Sequence, residues 1–213
     1  MKQLKYILAF LLLANIIACE EAVTFTEPQP TGTPALLKFP KRLRGNYLNV
    51  ENNSTLIIDD KYIQRAYDFD QKMSRNKLDS NSRISGDTLI NLKTKEKFLI
   101  RMERDSITYR VHLTDTLFQI DDEHVVKKFR GYYFLNSFDG DGWEVMKLEQ
   151  SNGQVALSTI AAGSELDDLR EITESAQDTV APRQFVLTKN QFQAFIKKGG
   201  FSEGEVFIKQ KKK

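Results

Sequence analysis

Ile107-Thr108-Tyr109-Arg110-Val111-His112-Leu113 alternates apolar and polar side chains without a break, and a period of two buries one side of a chain only when that chain is a β-strand. Ile107, Tyr109, Val111 and Leu113 then share one face, and Thr108, Arg110 and His112 the other. A related phrase recurs in Ser54-Thr55-Leu56-Ile57-Ile58, Asp87-Thr88-Leu89-Ile90-Asn91-Leu92 and Asp115-Thr116-Leu117-Phe118-Gln119-Ile120. Each opens on a turn former and continues as β-branched and apolar residues, as where a meander leaves a turn. Connections this short cannot make parallel crossovers. The expected fold class is therefore mainly β: an antiparallel meander or barrel, or two related β halves, followed by one or two short C-terminal helices.

The two-half alternative comes from a longer echo. Lys41-Arg42-Leu43-Arg44-Gly45-Asn46-Tyr47 and Lys127-Lys128-Phe129-Arg130-Gly131-Tyr132-Tyr133 share Lys, Arg, Gly and Tyr at an offset of 86, which sets the halves near 41–126 and 127–213. Two copies are too few for a solenoid, so they are expected to pack on each other. Helical periodicity comes late. Ser164 with Asp167 reads as a capping box ahead of Leu166, Leu169 and Ile172. Thr188 or Asn190 caps a second helix with Phe192, Phe195 and Ile196 as its apolar stripe, ended by Gly199-Gly200. Phe201 to Ile208 offers a last strand.

The N-terminus reads differently. Lys2 and Lys5 precede an apolar stretch of 13 residues, Tyr6 to Ala18. That is too short for a membrane helix, which needs about 20 apolar residues, and right for a secretory signal. Of 31 Lys and Arg, two lie in this leader, so 29 face 29 Asp and Glu in the remainder. A balanced chain lacks the clustered positive charge that nucleic acid binding requires. The run Ile16-Ile17-Ala18-Cys19 holds the single Cys of the chain and resembles the lipobox of bacterial lipoproteins, of a Bacteroidota-like type. The resemblance implies removal of residues 1–18, a diacylglyceryl group on the Cys19 thiol and acylation (palmitate-type chains) of the new amino terminus. It also implies localisation in the cell envelope, on the outer membrane, periplasmic or surface-exposed. Two or three acyl chains hold stably where one holds marginally. With its one thiol so used, the chain has none for disulfides, zinc or nucleophilic catalysis.

Four of the five prolines, Pro28, Pro30, Pro34 and Pro40, follow the anchor. Proline favours extended backbone, so residues 19–38 are expected to be a tether reaching roughly 60 Å from the bilayer, with the folded body at 39–213. At the start of that body, Gly45-Asn46-Tyr47 resembles the G-x-W opening of lipocalin-like barrels. This resemblance implies an enclosed ligand cavity.

Chemical motifs are sparse. His112 and His124 are the two histidines, and the Asp121-Asp122-Glu123 run before His124 alternates faces along a strand, so it cannot converge on one metal ion. Asp139-Gly140-Asp141-Gly142 has Glu144 and Gln150 where a calcium loop needs Gly and Glu, and reads as a hairpin turn. No G-x-S-x-G, P-loop or G-x-G-x-x-G occurs. A carboxylate pair for glycoside hydrolysis has no sequence signature. Trp143, Tyr132 and Tyr133, beside the Gly-rich turn, are the candidate ligand-binding aromatics. The expected function is thus a lipid-anchored envelope protein acting as a non-catalytic binding or interaction module. Its partners would be the membrane and an envelope protein or glycan, with no nucleic acid, metal or cofactor. A lipocalin-like carrier of an apolar ligand and a carboxylate-dependent envelope hydrolase are the alternatives.

Overall fold

The alternating run becomes the first half of the longest strand in a computed structural model of the chain, which describes residues 22–161, 163–173 and 183–211. Cys19 and the leader lie outside the described residues. The strands in chain order are β1 (Thr24–Phe25), β2 (Ala35–Leu36), β3 (Gly45–Leu48), β4 (Ser54–Ile58), β5 (Tyr62–Ser74), β6 (Ser82–Ser85), β7 (Thr88–Asn91) and β8 (Lys97–Glu103). They continue as β9 (Ser106–Gln119), β10 (His124–Phe129), β11 (Tyr132–Phe138), β12 (Trp143–Ser151), β13 (Gln154–Thr159), β14 (Gln184–Phe185) and β15 (Glu203–Lys209). Two helices, α1 (Ser164–Thr173) and α2 (Lys189–Lys197), lie among the described residues.

The fold is mainly antiparallel β with short C-terminal helices, as the sequence pattern predicts. One sheet runs in the order β2-β10-β11-β12-β13-β15-β3-β4-β5-β9-β8-β7-β6. Strands from β3 round to β10 contribute to a single buried cluster containing Phe39, Tyr47, Leu56, Ile63, Phe118, Val126, Tyr133, Leu148, Val155 and Phe207. A sheet whose separate strands share one core must curl about it. It does not close: among the described residues β9 pairs with β5 and β8, and β10 with β11 and β2, but not with each other. The curl is packed with aliphatic side chains and with the rings of Phe39, Tyr47, Phe118, Tyr133 and Phe207, each ring worth about 1.5–3 kcal/mol of burial.

The echo at offset 86 falls on two different local structures. Lys127 to Phe129 finish β10, and Arg130 and Gly131, both with positive φ (49° and 92°), make the tight hairpin to β11, the left-handed pair a two-residue hairpin needs. Lys41 to Arg44 instead form a turn outside any strand, which Gly45 leaves at φ 143°. What the two copies share is a tyrosine two residues on, Tyr47 and Tyr133, both buried in the same core.

Outside the curl, α1 and α2 cover β11 and β12 through Leu166, Leu169, Phe192 and Phe195 packed on Phe134 and Val145. Helix α2 is bounded as its sequence dictates. Thr188 and Gln191 form the reciprocal capping box, and Gly200 lies so close to the Phe195 ring that a Cβ there would sit 2.5 Å from it. Helix α1 starts one residue earlier than a Ser164 cap would have it: Asp167 N–H donates to Gly163 C=O, and Ser164 is already helical. Glu165, buried, ties the helix start to the segments around it by accepting from the backbone N–H groups of Ala161, Phe201 and Ser202 at 2.8, 3.1 and 2.7 Å.

The proline-rich segment is a correction to the sequence reading. From Ala22 onward it is built into the fold rather than spaced away from it. β1 pairs with β12 and β14, and β2 with β10. Phe25 is fully buried beside Phe185 and Phe192. Lys127 donates its ammonium protons to Pro28 C=O at 2.6 Å and Pro30 C=O at 3.1 Å. The Asn136 amide donates to Gln29 C=O and accepts from Gln29 N–H. Prolines suit such a strap because each removes a backbone donor that the inside of a protein would have to satisfy.

Beyond the body, β5 and β9 continue as a two-stranded ribbon. Residues 68–72 and 112–116 are exposed. Its far end is stabilised by β6, β7 and β8 around a small core of Leu89, Ile100 and Ile107. One ribbon face carries cross-strand charge pairs, Asp68 with Arg110 and His112 and Lys72 with Glu103. The other carries Phe69 opposite Val111 and Tyr67 opposite Leu113, the division of faces that the alternation predicts.

Candidate ligand-binding mouth

Four strands around the curl pass from apolar to polar at the same end. On β15 the inward positions run Phe207, Glu205, Glu203; on β13, opposite them, Val155, Leu157, Thr159. On β12 they run Leu148, Met146, Glu144, and on β5 Ile63, Arg65, Tyr67. Alternate residues of a strand share a face, so these four series put aromatic and aliphatic side chains at the floor and polar groups, Glu144, Glu203 and Glu205 among them, at the rim. A bulge adds one wall. Ile63 pairs with Phe118 and Gln64 with Thr116, which leaves Leu117 as the extra residue, its side chain lining the opening.

The resulting mouth is a cleft of about 490 Å³ bordered by Arg65, Leu117, Met146, Leu157, Glu203 and Glu205. A second recess of about 280 Å³ shares Met146 and Thr159 with it and extends to Val23, Leu135 and Glu144. Arg65 is tied down. Its two Nη atoms meet the Glu205 carboxylate at 2.6 and 3.4 Å, and its guanidinium lies 5.5 Å from the Phe207 ring centre. Glu144 faces the same recess, and partial burial together with the negative charge of Asp139 pushes its carboxyl above the ordinary glutamate range. Asp139 moves the other way: its carboxylate accepts the N–H groups of Gly142 and Asp141, which holds it below the usual aspartate value. This is the hairpin turn read from the sequence.

The aromatic candidates do not meet in one site. Tyr132 and Tyr133 are consecutive on β11 and point to opposite sides of the sheet. Tyr133 is core, with its hydroxyl accepting from Arg42; Tyr132 packs toward the helical side, 6.4 Å from Phe134. Trp143, half-buried, stacks at 5.3 Å on Phe138. The strand period that makes a neighbouring Tyr pair also separates its rings. His112 bonds Asp68 and Thr114 on the ribbon, while His124 bonds Asp121 at 2.7 Å and so lowers that carboxylate's pKa. Among the described residues, no three His, Cys, Asp or Glu side chains gather in metal-binding geometry. No helix there is long and apolar enough to cross a membrane.

Sequence reasoning missed the mouth. Its only local trace is a charged residue at an inward position, Arg65 between Ile63 and Tyr67 or Glu205 before Phe207, and that parity is visible only once the register is known. No family model, no curated protein and no solved structure matches the chain.

Proposed function

We propose that this chain is a lipid-anchored cell-envelope protein whose body is a non-catalytic binding module, with the mouth as its ligand site. The observation supporting this is the mouth: an open cleft with an aliphatic floor and a charged rim, set over a filled core. Binding sites favour such concave, largely apolar surfaces with a few placed polar groups. The carrier reading draws on the same floor. The hydrolase reading needs two facing carboxylates about 5–5.5 Å or 6.5–9.5 Å apart. Glu205 is paired with Arg65, and Glu203 and Glu144 belong to strands separated by β13, about 10 Å across the sheet.

The anchor rests on Cys19 and the apolar run before it. Cells fed a radioactive fatty acid are expected to label the wild-type chain and not Cys19→Ser, and protease treatment of intact cells then separates surface from periplasmic exposure. Label retained by Cys19→Ser would remove the basis for envelope localisation.

A further inference from the structure

We infer that the mouth binds an aliphatic ammonium compound, its alkyl part on Leu117, Met146 and Leu157 and its positive charge toward Glu203 and Glu144; this rests on the mouth being the binding site. Three carboxylates, Glu144, Glu203 and Glu205, border the joined recesses, against one guanidinium, Arg65. That guanidinium's charge is matched by Glu205, which leaves Glu144 and Glu203 without a cation among the residues that line the two recesses. Both Nη atoms are engaged by Glu205, Nη1 also lies 3.5 Å from the Tyr67 hydroxyl, and Nε, though without a partner, is buried away from the opening's solvent. Asp115 sits directly opposite Arg65 across β5 and β9. On the far side of Glu144, Arg183 stands with Asp139 and Asp141, a neighbourhood that is itself net acidic. An anionic head group would therefore enter a rim whose carboxylates outnumber its cations, and like charges brought together in a partly desolvated site repel. An ammonium on an alkyl stem satisfies the rim and covers the aliphatic floor together. The same chemistry occurs in a free alkylamine and in the lysine side chain of a partner protein.

The test titrates the full chain, purified in a nonionic detergent, with hexylamine, hexanol and hexanoate at neutral pH. The 13C-labelled methionine methyl groups report position. Hexylammonium is expected to bind about tenfold more tightly than hexanol, and hexanoate more weakly than either. The shifted methionine resonance should be Met146, with Met73 and Met102 on the distal ribbon unmoved. Glu144→Gln combined with Glu203→Gln should reduce the amine to the affinity of the alcohol while hexanol binding, the control for folding, persists. N-acetyl-lysinamide binding more tightly than hexylamine would assign the ammonium to a protein side chain, and the reverse to a free amine. Hexanoate equal to or tighter than hexylamine, with Met146 still responding, would overturn the charge inference and leave the mouth as a site. If none of the three probes moves Met146, both fall.

Discussion

Lys127→Met is the substitution that most directly probes how the N-terminal strap is held. Methionine keeps the length and the aliphatic packing of lysine but cannot donate. Lys127 is buried, and its ammonium supplies hydrogen bonds to two carbonyls, Pro28 and Pro30. Pro30 C=O retains the Thr33 N–H, so the substitution orphans chiefly Pro28 C=O. A buried unsatisfied carbonyl costs about 1–3 kcal/mol, and a hydrogen bond from a charged donor contributes about 1.5–3 kcal/mol. Burial opposes them by favouring the neutral amine, which lowers the Lys127 pKa. The expected net loss is about 2–4 kcal/mol, or a fall in Tm of about 5–15 °C for a chain this size. Denaturant titration measures the total, and amide exchange locates it, with protection lost first between Val23 and Leu36. Lys97→Met, at an exposed position of β8, should change stability by less than about 0.5 kcal/mol. If Lys127→Met unfolds with the wild type and leaves exchange in the strap unchanged, the clamp is not what holds these residues.

Two further outcomes follow from the ribbon and the rim. Ile107→Ala empties the small core at the tip, where Ile107 is fully buried, and should cost about 2–5 kcal/mol, whereas Phe69→Ser on the open ribbon face, 44% exposed, should cost under about 1 kcal/mol; paired denaturation curves distinguish them. Glu144 has a raised folded pKa, so the folded state binds its proton more tightly than the unfolded chain. Its contribution is present below the unfolded value and is lost as pH climbs through the folded one; Glu144→Gln should flatten the stability–pH curve there, and an unchanged curve would mean that the fold does not raise the Glu144 pKa.

What the sequence made legible was local. The alternation in β9 names both faces of a strand whose pairing with β5 runs its whole length, because a period of two survives whatever neighbour the strand finds. The capping box at Thr188 and the Gly199-Gly200 stop are equally self-contained. The strap is not legible locally because proline content is the same in a spaced linker and in a segment stitched onto a sheet. The difference lies in Lys127 and Asn136, roughly a hundred positions away, and nothing near either residue announces its target. Helix α1 starts one residue before the place its local signal gives for a related reason: a buried glutamate, Glu165, reaches Phe201 and Ser202, so tertiary contacts hold the helix start. The mouth was invisible because Arg65 and Glu205 meet only through the neighbouring order of β15, β3, β4 and β5.

The seated strap alters what a lipid on Cys19 would mean mechanically. With Val23 already bordering the recess, fully stretched backbone from Cys19 to Ala22 spans only about 10 Å. A body moored on so short a line has little room to swing. Its opening would stay close to the head groups, sampling molecules that leave or skim the bilayer.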